Sequence, residues 1–376
     1  MNTNAVGERP ILSIVVPTLN ESKNIPILYE SLSKALPDIR WELVIVDDNS
    51  TDDTPKVLID LCSKYANFRY LRRFGRTGIS TAGIEGMMSC AAPYIAVMDA
   101  DGQHDETKLA EMLGYLQRDE AEIAVGSRFA EGANLVEFTA FRTKLSLYSN
   151  RIAQRFFRVP LEDSMGNFFM LKREVIEHAA PYLCGRGQKL LLDVILVGPD
   201  TWRVKEVPIV FGVREHGESK LSHIAAIDFG LQLWERKFGK VLPAKAVLDT
   251  GAILAYSVLT TFFTWFTMKM AHVFTGSYPR AAVYILVGGL PALFLAFWAQ
   301  RVITPKRRRA KGKQLLGELV FFILIALPFL ALSAWITEGV TQPGDPRLRL
   351  LFGASLTSSI GLVVSSAWRK EALSRR

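Results

Sequence analysis

The chain has 376 residues and a formal net charge of +8, long enough for two domains. The basic excess sits beside long apolar stretches, where it sets membrane orientation or meets anionic lipid, so nucleic acid is not an expected partner. Cys62, Cys90 and Cys184 form no Cys-x-x-Cys pair, which argues against a zinc site and a disulfide framework. The first ten residues are polar and lack the apolar run of a signal peptide, so the N-terminal domain is expected in the cytoplasm.

Up to about Gly239 the composition is that of a soluble α/β protein. Ile11 to Val16 is a buried-strand run ended by Pro17-Thr18-Leu19-Asn20-Glu21, and a helix follows over Lys23 to Ala35. Trp41 to Val46 is the next strand, closed by Asp47-Asp48-Asn49-Ser50. Thr51 or Asp52 caps a helix reaching Tyr65. Phe68 to Arg72 is a short strand, and Ile79 to Cys90 a helix. Tyr94 to Met98 is a strand, Glu106 to Gln117 a helix, and Ile123 to Val125 a strand ending in Gly126-Ser127-Arg128. Strands alternating with helices predict a mostly parallel, doubly wound sheet, in which ligands bind at the carboxyl ends of the strands. Glu21, Asp48, Asp99 and Arg128 all fall at such ends.

Asp99-Ala100-Asp101-Gly102-Gln103-His104 is the central stretch. Two carboxylates one residue apart converge on one cation if the backbone turns, and Gly102 makes that turn cheap. With the Gln103 oxygen they suit Mg2+ or Mn2+. Alone, the pair reads more readily as a solvated acidic turn, and its surroundings reverse that. No Gly-x-Gly-x-x-Gly follows the first strand and there is no Walker-type loop, so a dinucleotide site is not expected. Acids, a metal and arginines together suit a nucleotide diphosphate.

Five motifs occur in order: 17–21, 47–50, 99–104, Gly126-Ser127-Arg128, and Arg214-Glu215-His216-Gly217-Glu218-Ser219-Lys220-Leu221. Each is weak alone; the ordered set resembles family 2 glycosyltransferases of the polyprenyl-phosphate type, closest to dolichol-phosphate mannose synthases, over residues 11–222. The resemblance implies a Rossmann-like GT-A fold that binds a nucleotide sugar. By matching position, Pro17, Leu19, Glu21 and Asp48 line the nucleoside pocket. Asp99, Ala100, Asp101 and Gln103 meet the donor, the two acids and the glutamine also holding the metal. Lys189, Arg214 and Lys220 approach the donor phosphates. Arg128 and Arg142 receive the acceptor phosphate, with Ser219 assisting. Asp99, Asp101 and Arg128 are the implied catalytic set. Leu19 stands where tyrosine is common. The usual Asp-Pro-Met-Ser-Gly-Phe-Phe appears as Asp163-Ser164-Met165-Gly166-Asn167-Phe168-Phe169. Asn167 replaces a glycine and tolerates left-handed backbone better than most residues, while Gly166 allows a different turn.

A polyprenyl phosphate needs no general base, because a phosphate monoester is largely ionised near neutral pH, with a second pKa of about 6. The protein has to bring two anions together and neutralise them. Direct displacement with inversion at the anomeric carbon is expected, without a covalent glycosyl-enzyme.

Arg142 to Arg158 is a basic amphipathic helix, either packed on its own domain or forming a membrane-facing wall of the acceptor site. Residues 224–238 fit an interfacial helix, in a connecting region spanning 223–245. Four apolar segments follow, Ala246 to Met268, Ala281 to Ala299, Leu315 to Ile336 and Leu350 to Trp368, each near the about 20 residues a bilayer span requires. Basic clusters lie between the second and third segments (Arg301, Lys306 to Arg309, Lys311, Lys313) and after the fourth. The positive-inside rule then predicts an integral membrane protein with catalytic domain and C-terminus cytoplasmic. Residues 246–376 resemble a GtrA-like four-helix domain. The expected partners are a nucleotide sugar, GDP-mannose first and UDP-glucose second, polyprenyl or dolichyl phosphate, and the bilayer; homo-oligomerisation stays open. No Gln-x-x-Arg-Trp motif of processive synthases occurs. A non-catalytic lipid-carrier binding or flipping protein is the alternative of another class.

Overall fold

The computed structural model describes residues 9–75, 78–135, 140–157, 159–185, 189–214 and 223–238, with scattered helical positions between 258 and 335. The chain divides into two compact units, Met1–Lys237 and Phe238–Arg376.

The first unit runs β1 (Leu12–Thr18), α1 (Asn24–Ala35), β2 (Trp41–Asp47), α2 (Thr54–Lys64), β3 (Phe68–Arg72), α3 (Ile79–Ser89) and β4 (Tyr94–Val97). A 3-10 turn at Glu106–Lys108 leads to α4 (Leu109–Gln117), then β5 (Ile123–Ser127), β6 (Asn134–Leu135) and α5 (Ala140–Phe157). β7 (Phe169–Lys172), α6 (Arg173–Ala179), α7 (Leu190–Val197), β8 (Val204–Pro208), β9 (Val210–Phe211) and α8 (His223–Phe238) complete it. The seven-stranded sheet has the order β3-β2-β1-β4-β7-β5-β8, and β6 pairs with β9. Every pairing in the large sheet is parallel except those of β7, which lies antiparallel between β4 and β5.

β1 and β2 carry apolar residues on both faces because both faces are covered. On one side Ile14, Val16, Leu43 and Ile45 meet Leu28, Leu32 and Leu58 of α1 and α2 and Met112 of α4. On the other, Val15, Val44 and Val46 meet Ala82 and Met87 of α3, with α6 and α7 completing the layer.

The register decides what gathers at one edge. Val97 of β4 and Val125 of β5 both pair with Phe169, the first residue of antiparallel β7. The chain entering β7 therefore lies at the same edge as the carboxyl ends of β1, β2, β4 and β5. β8 runs parallel to β5, and the Ile209 N–H donates to Ser127 O, which brings Phe211 to Arg214 to that edge too.

Expected elements and observed ones agree over β1–β5 and α1–α5, except that α2 starts at Thr54 with Asp53, not Thr51 or Asp52, at its N-cap. Cys90 follows α3 rather than lying within it, and is buried. Among the described residues no helix is long and apolar enough to cross a membrane. Of the four expected spans, described positions fall in the first three and are helical; the fourth, and residues 239–245, lie outside the described residues.

Candidate active site

The β4 strand ends at Val97, and the turn that follows is held from several directions. Gly102 takes φ +77°, a backbone conformation costly for a side-chain-bearing residue. Gln103 N–H donates to Asp101 Oδ1 at 3.2 Å, an Asx-type turn. His104 is buried; its Nδ1 accepts from Asp99 N–H at 3.1 Å, and its ring stacks on Phe168 at 5.1 Å. Gly126 of β5 admits that phenylalanine, since a β-carbon there would lie 2.2 Å from Phe168 Cδ1. The acidic turn is thus fixed against the entry to β7 and the end of β5.

Asp101 Oδ2 accepts from Arg214 Nη2 at 2.8 Å, and Gln103 Oε1 accepts from the same nitrogen at 3.2 Å. Gln103 Nε2 donates to Gly212 O, and Gly212 N–H donates to Gln103 O, so the segment after β9 is tied to the turn. Burial and the neighbouring Asp99 carboxylate push the Asp101 carboxyl above its usual range, against the pull of His104, Arg214 and Gln103 N–H. Asp99 itself is more open, with its Oδ2 3.8 Å from His104 Nε2.

This donor set fits a hard divalent cation. Two carboxylates and an amide oxygen lie on one turn, and two of those groups already share a guanidinium cation. Among the described residues no group of three or more His, Cys, Asp and Glu could hold a metal alone. An ion here would take further oxygens from water and a substrate diphosphate, the usual behaviour of Mg2+.

The basic groups gather past the end of β5. Arg128, one residue past β5, donates through Nε to Asp163 Oδ2 at 2.7 Å and through Nη2 to Asp163 Oδ1 at 2.8 Å. Its backbone N–H also reaches Asp163 Oδ2. The guanidinium lies over the Phe211 ring at 5.4 Å. Asp163 is fully buried. Burial pushes its carboxyl up, but the Arg128 guanidinium and N–H and the Lys189 charge outweigh this and hold it below the usual carboxylate range. Lys189, just before α7, donates to Met165 O at 2.7 Å. Burial and the Arg128 charge lower its pKa to about 8, against the opposing pull of Asp163 and Asp99. Lys189 therefore lies within electrostatic reach of both sides.

At the carboxyl ends of β1 and β2, Pro17 is the penultimate residue of β1 and is half-buried. Asn20 takes φ +55° and its N–H donates to Ser50 Oγ. Glu21 Oε2 accepts from Asn24 Nδ2 at 2.6 Å and its N–H donates to Thr54 Oγ1, so α1 and α2 orient it. Asp48 accepts from Arg73 Nη1 at 2.9 Å and from Gly78 N–H at 2.9 Å, which fastens the start of α3.

Of the expected site residues, the structure gathers Asp99, Asp101, Gln103 and Arg214 on one side and Arg128 and Lys189 on the other. Pro17, Leu19, Glu21, Asp48 and the buried Ala100 stand at the same edge of the sheet. Arg142 lies on α5, where only its backbone is described; Ser219 and Lys220 lie outside the described residues. Neither Gly166 nor Asn167 is among the positive-φ residues, so the left-handed backbone that both tolerate is not used there. Asp163, Arg73 and His104 had no assigned role. Asp163 lies inside the 163–169 motif, His104 inside the 99–104 motif, and Arg73 stands one residue past β3; these positions are the available signals.

A family model described as Glycosyl transferase family 2 matches residues 13–179. The dolichol-phosphate mannosyltransferase of Pyrococcus furiosus is 30% identical over 259 residues, covering 67% of this chain and 72% of that protein. The dolichol-phosphate mannosyltransferase of Saccharomyces cerevisiae is 32% identical over 242 residues, covering 60% and 88%. Among solved structures, glucosyl-3-phosphoglycerate synthase of Mycobacterium tuberculosis, in complex with Mn2+, UDP and glucosyl-3-phosphoglycerate, is 18% identical with a TM-score of 0.43. That likeness covers 60% of this chain and 80% of the other and carries no weight for function.

Proposed function

The chain belongs to glycosyl transferase family 2, and on that premise we propose that it moves mannose from GDP-mannose to dolichyl or polyprenyl phosphate. The observation that carries the reading is the pairing of an acidic turn, Asp99 to Gln103, with a basic wall, Arg128 and Lys189, across one sheet edge. A reaction between two phosphate-bearing substrates needs both. The relatives' named activity supports the acceptor class and the sugar.

In this reading Pro17, Leu19, Glu21 and Asp48 bind the nucleoside, and Arg214 and Lys220 the donor phosphates. Asp99, Asp101 and Gln103 would hold Mg2+ or Mn2+, which neutralises the leaving diphosphate when bound. Arg128 and Arg142, with Ser219, hold the acceptor phosphate, and Lys189 stands between the two anions. No residue has to take a proton from the acceptor, whose phosphate is already ionised. The protein's work is to orient the two substrates and screen their repulsion. The outcome is inversion at the anomeric carbon.

In this reading the enzyme works at the cytoplasmic face of a bilayer. On α5, Leu145, Tyr148 and Phe156 are exposed among Lys144, Arg151 and Arg155, an apolar stripe between cations that suits a lipid surface. In the second unit Val258, Phe262, Phe274, Leu316 and Trp335 are exposed at helical positions, as lipid-facing side chains would be. The four spans of a GtrA-like domain anchor the enzyme there.

The test is direct. The detergent-purified protein is mixed with polyprenyl phosphate and Mg2+ or Mn2+, and offered GDP-mannose and UDP-glucose separately, with and without EDTA. Metal-dependent mannolipid is expected from GDP-mannose alone. Glucolipid alone would replace the donor, and nucleotide binding without product from either would overturn this assignment of donor and acceptor.

A further inference from the structure

α8 packs on the layer beside α7: Leu231 is buried, and Phe229 and Leu233 lie against the cluster that contains Leu190 and Leu191. Its polar residues on that side reach the segments flanking Lys189. Gln232 is fully buried, and its Nε2 donates to the backbone carbonyl of Lys189 at 3.1 Å. Its Oε1 has no partner among the described residues, an expensive arrangement for a side chain that served only packing. One turn later, Arg236 donates through Nε to Asp193 Oδ1 at 2.9 Å, again through Nη2, and through Nη1 to Tyr182 O at 2.8 Å. Asp193 is fully buried, and its other oxygen accepts from Cys184 N–H at 2.9 Å and Gly185 N–H at 3.3 Å. The clamp therefore grips the chain on both sides of Lys189 and at Lys189 itself.

We infer that Gln232 and Arg236 of α8 are positioning residues for Lys189, so that the helix leading out of the catalytic unit sets the geometry of the basic side. The inference rests on the proposed transfer reaction for Lys189's role, but the clamp is independent of which sugar is moved. The Lys189 side chain is anchored at its tip by Met165 O and at its backbone by Gln232. Losing the backbone anchor lets the ammonium drift relative to Arg128 and Asp99. A misplacement of about 1 Å can cost on the order of a hundredfold in rate.

The experiment is a double-mutant cycle in the full-length protein. Lys189→Met is expected to lower kcat by about a hundredfold, and Gln232→Met by about tenfold, with little change in either substrate's KM. The double variant should be no slower than Lys189→Met alone, because Gln232 acts only through the lysine. Arg236→Gln should resemble Gln232→Met, and Arg236→Lys should recover part of the loss. Arg236→Lys also carries the cycle if Gln232→Met does not fold. A second readout needs no substrate: acylation of Lys189 by an amine-reactive ester, followed by peptide mass spectrometry. Its rate should change several-fold in Gln232→Met while Lys172 and Lys205 react as in wild type. If wild type transfers nothing, the proposed reaction fails and the acylation rate alone decides the clamp. Folded variants with wild-type kcat and wild-type Lys189 reactivity, or losses that simply multiply in the cycle, would overturn the inference.

Discussion

Asp99, Asp101 and Gln103 lie on one turn of chain, whereas Arg128, Asp163 and Lys189 reach the same edge of the sheet from three separate elements. The acidic side needs β4 to end and Gly102 to turn; its internal bonds span at most a few residues, and His104 and Gly212 then lock it in place. The basic side exists only because β7 enters antiparallel between β4 and β5 and delivers Asp163 to Arg128. Damage to the acidic side should therefore remove chemistry and spare the fold. Damage to the basic side should cost both.

The largest effect breaks the comparison at its acidic end. Asp99→Ala and Asp101→Ala should each lower transfer by about a thousandfold or more, the scale of losing a principal electrostatic group. Initial rates measure this, with thermal melting as the control for folding. Wild-type rates in both variants would sink the assignment of this turn.

Next comes Asp163→Ala on the basic side. It strands a mostly buried guanidinium, and unpairing such a bridge costs about 3–5 kcal/mol. Denaturant midpoints should fall clearly more for this variant than for Asp99→Ala. Equal midpoints would mean that the two sides are built alike.

A smaller effect sharpens the comparison through pH. Lys189 loses its proton near pH 8 in the folded protein and near 10.5 when unfolded. Below about pH 8 both states are protonated, and the depressed pKa counts as a destabilising term. Between about 8 and 10.5 the unfolded state binds more protons, so this group's contribution to stability rises with pH. Transfer should move the other way, falling as pH climbs past about 8 because the charge facing the anions is lost. The fall should be a few-fold between pH 7.5 and 8.5 and absent in Lys189→Met. A pH profile that Lys189→Met leaves unaltered would contradict the role given to this lysine.

Much of this architecture was legible. Near-continuous apolar runs such as Trp41–Asp47 show strands buried on both faces, and the helices between them follow from 3.6-residue spacing. The acidic turn was legible for the same reason that it is self-contained: its bonds are local. β7 was not, because its four residues carry no local mark of running antiparallel or of inserting between β4 and β5. α7 was hidden because Leu190–Val197 is a short, almost wholly apolar run, which reads as helix or strand alike. The partner of Arg128 was unreadable although Asp163 sat in a recognised motif; 35 positions separate them, and only the sheet brings them together. Asn167 tolerates left-handed backbone, but the chain does not use it there, since composition marks tolerance and not geometry.

Asp99, Asp101 and Gln103 are assigned to the donor and Arg128 to the acceptor, with Lys189 between them. The most direct measurement is two-substrate steady-state kinetics on Arg128→Ala, varying GDP-mannose and polyprenyl phosphate independently. The KM for the lipid should rise by about 10- to 100-fold, the worth of one charge-assisted phosphate contact, while the KM for the nucleotide sugar stays as in wild type. A rise confined to the nucleotide sugar would put Arg128 on the donor side and contradict the division of labour drawn from this structure.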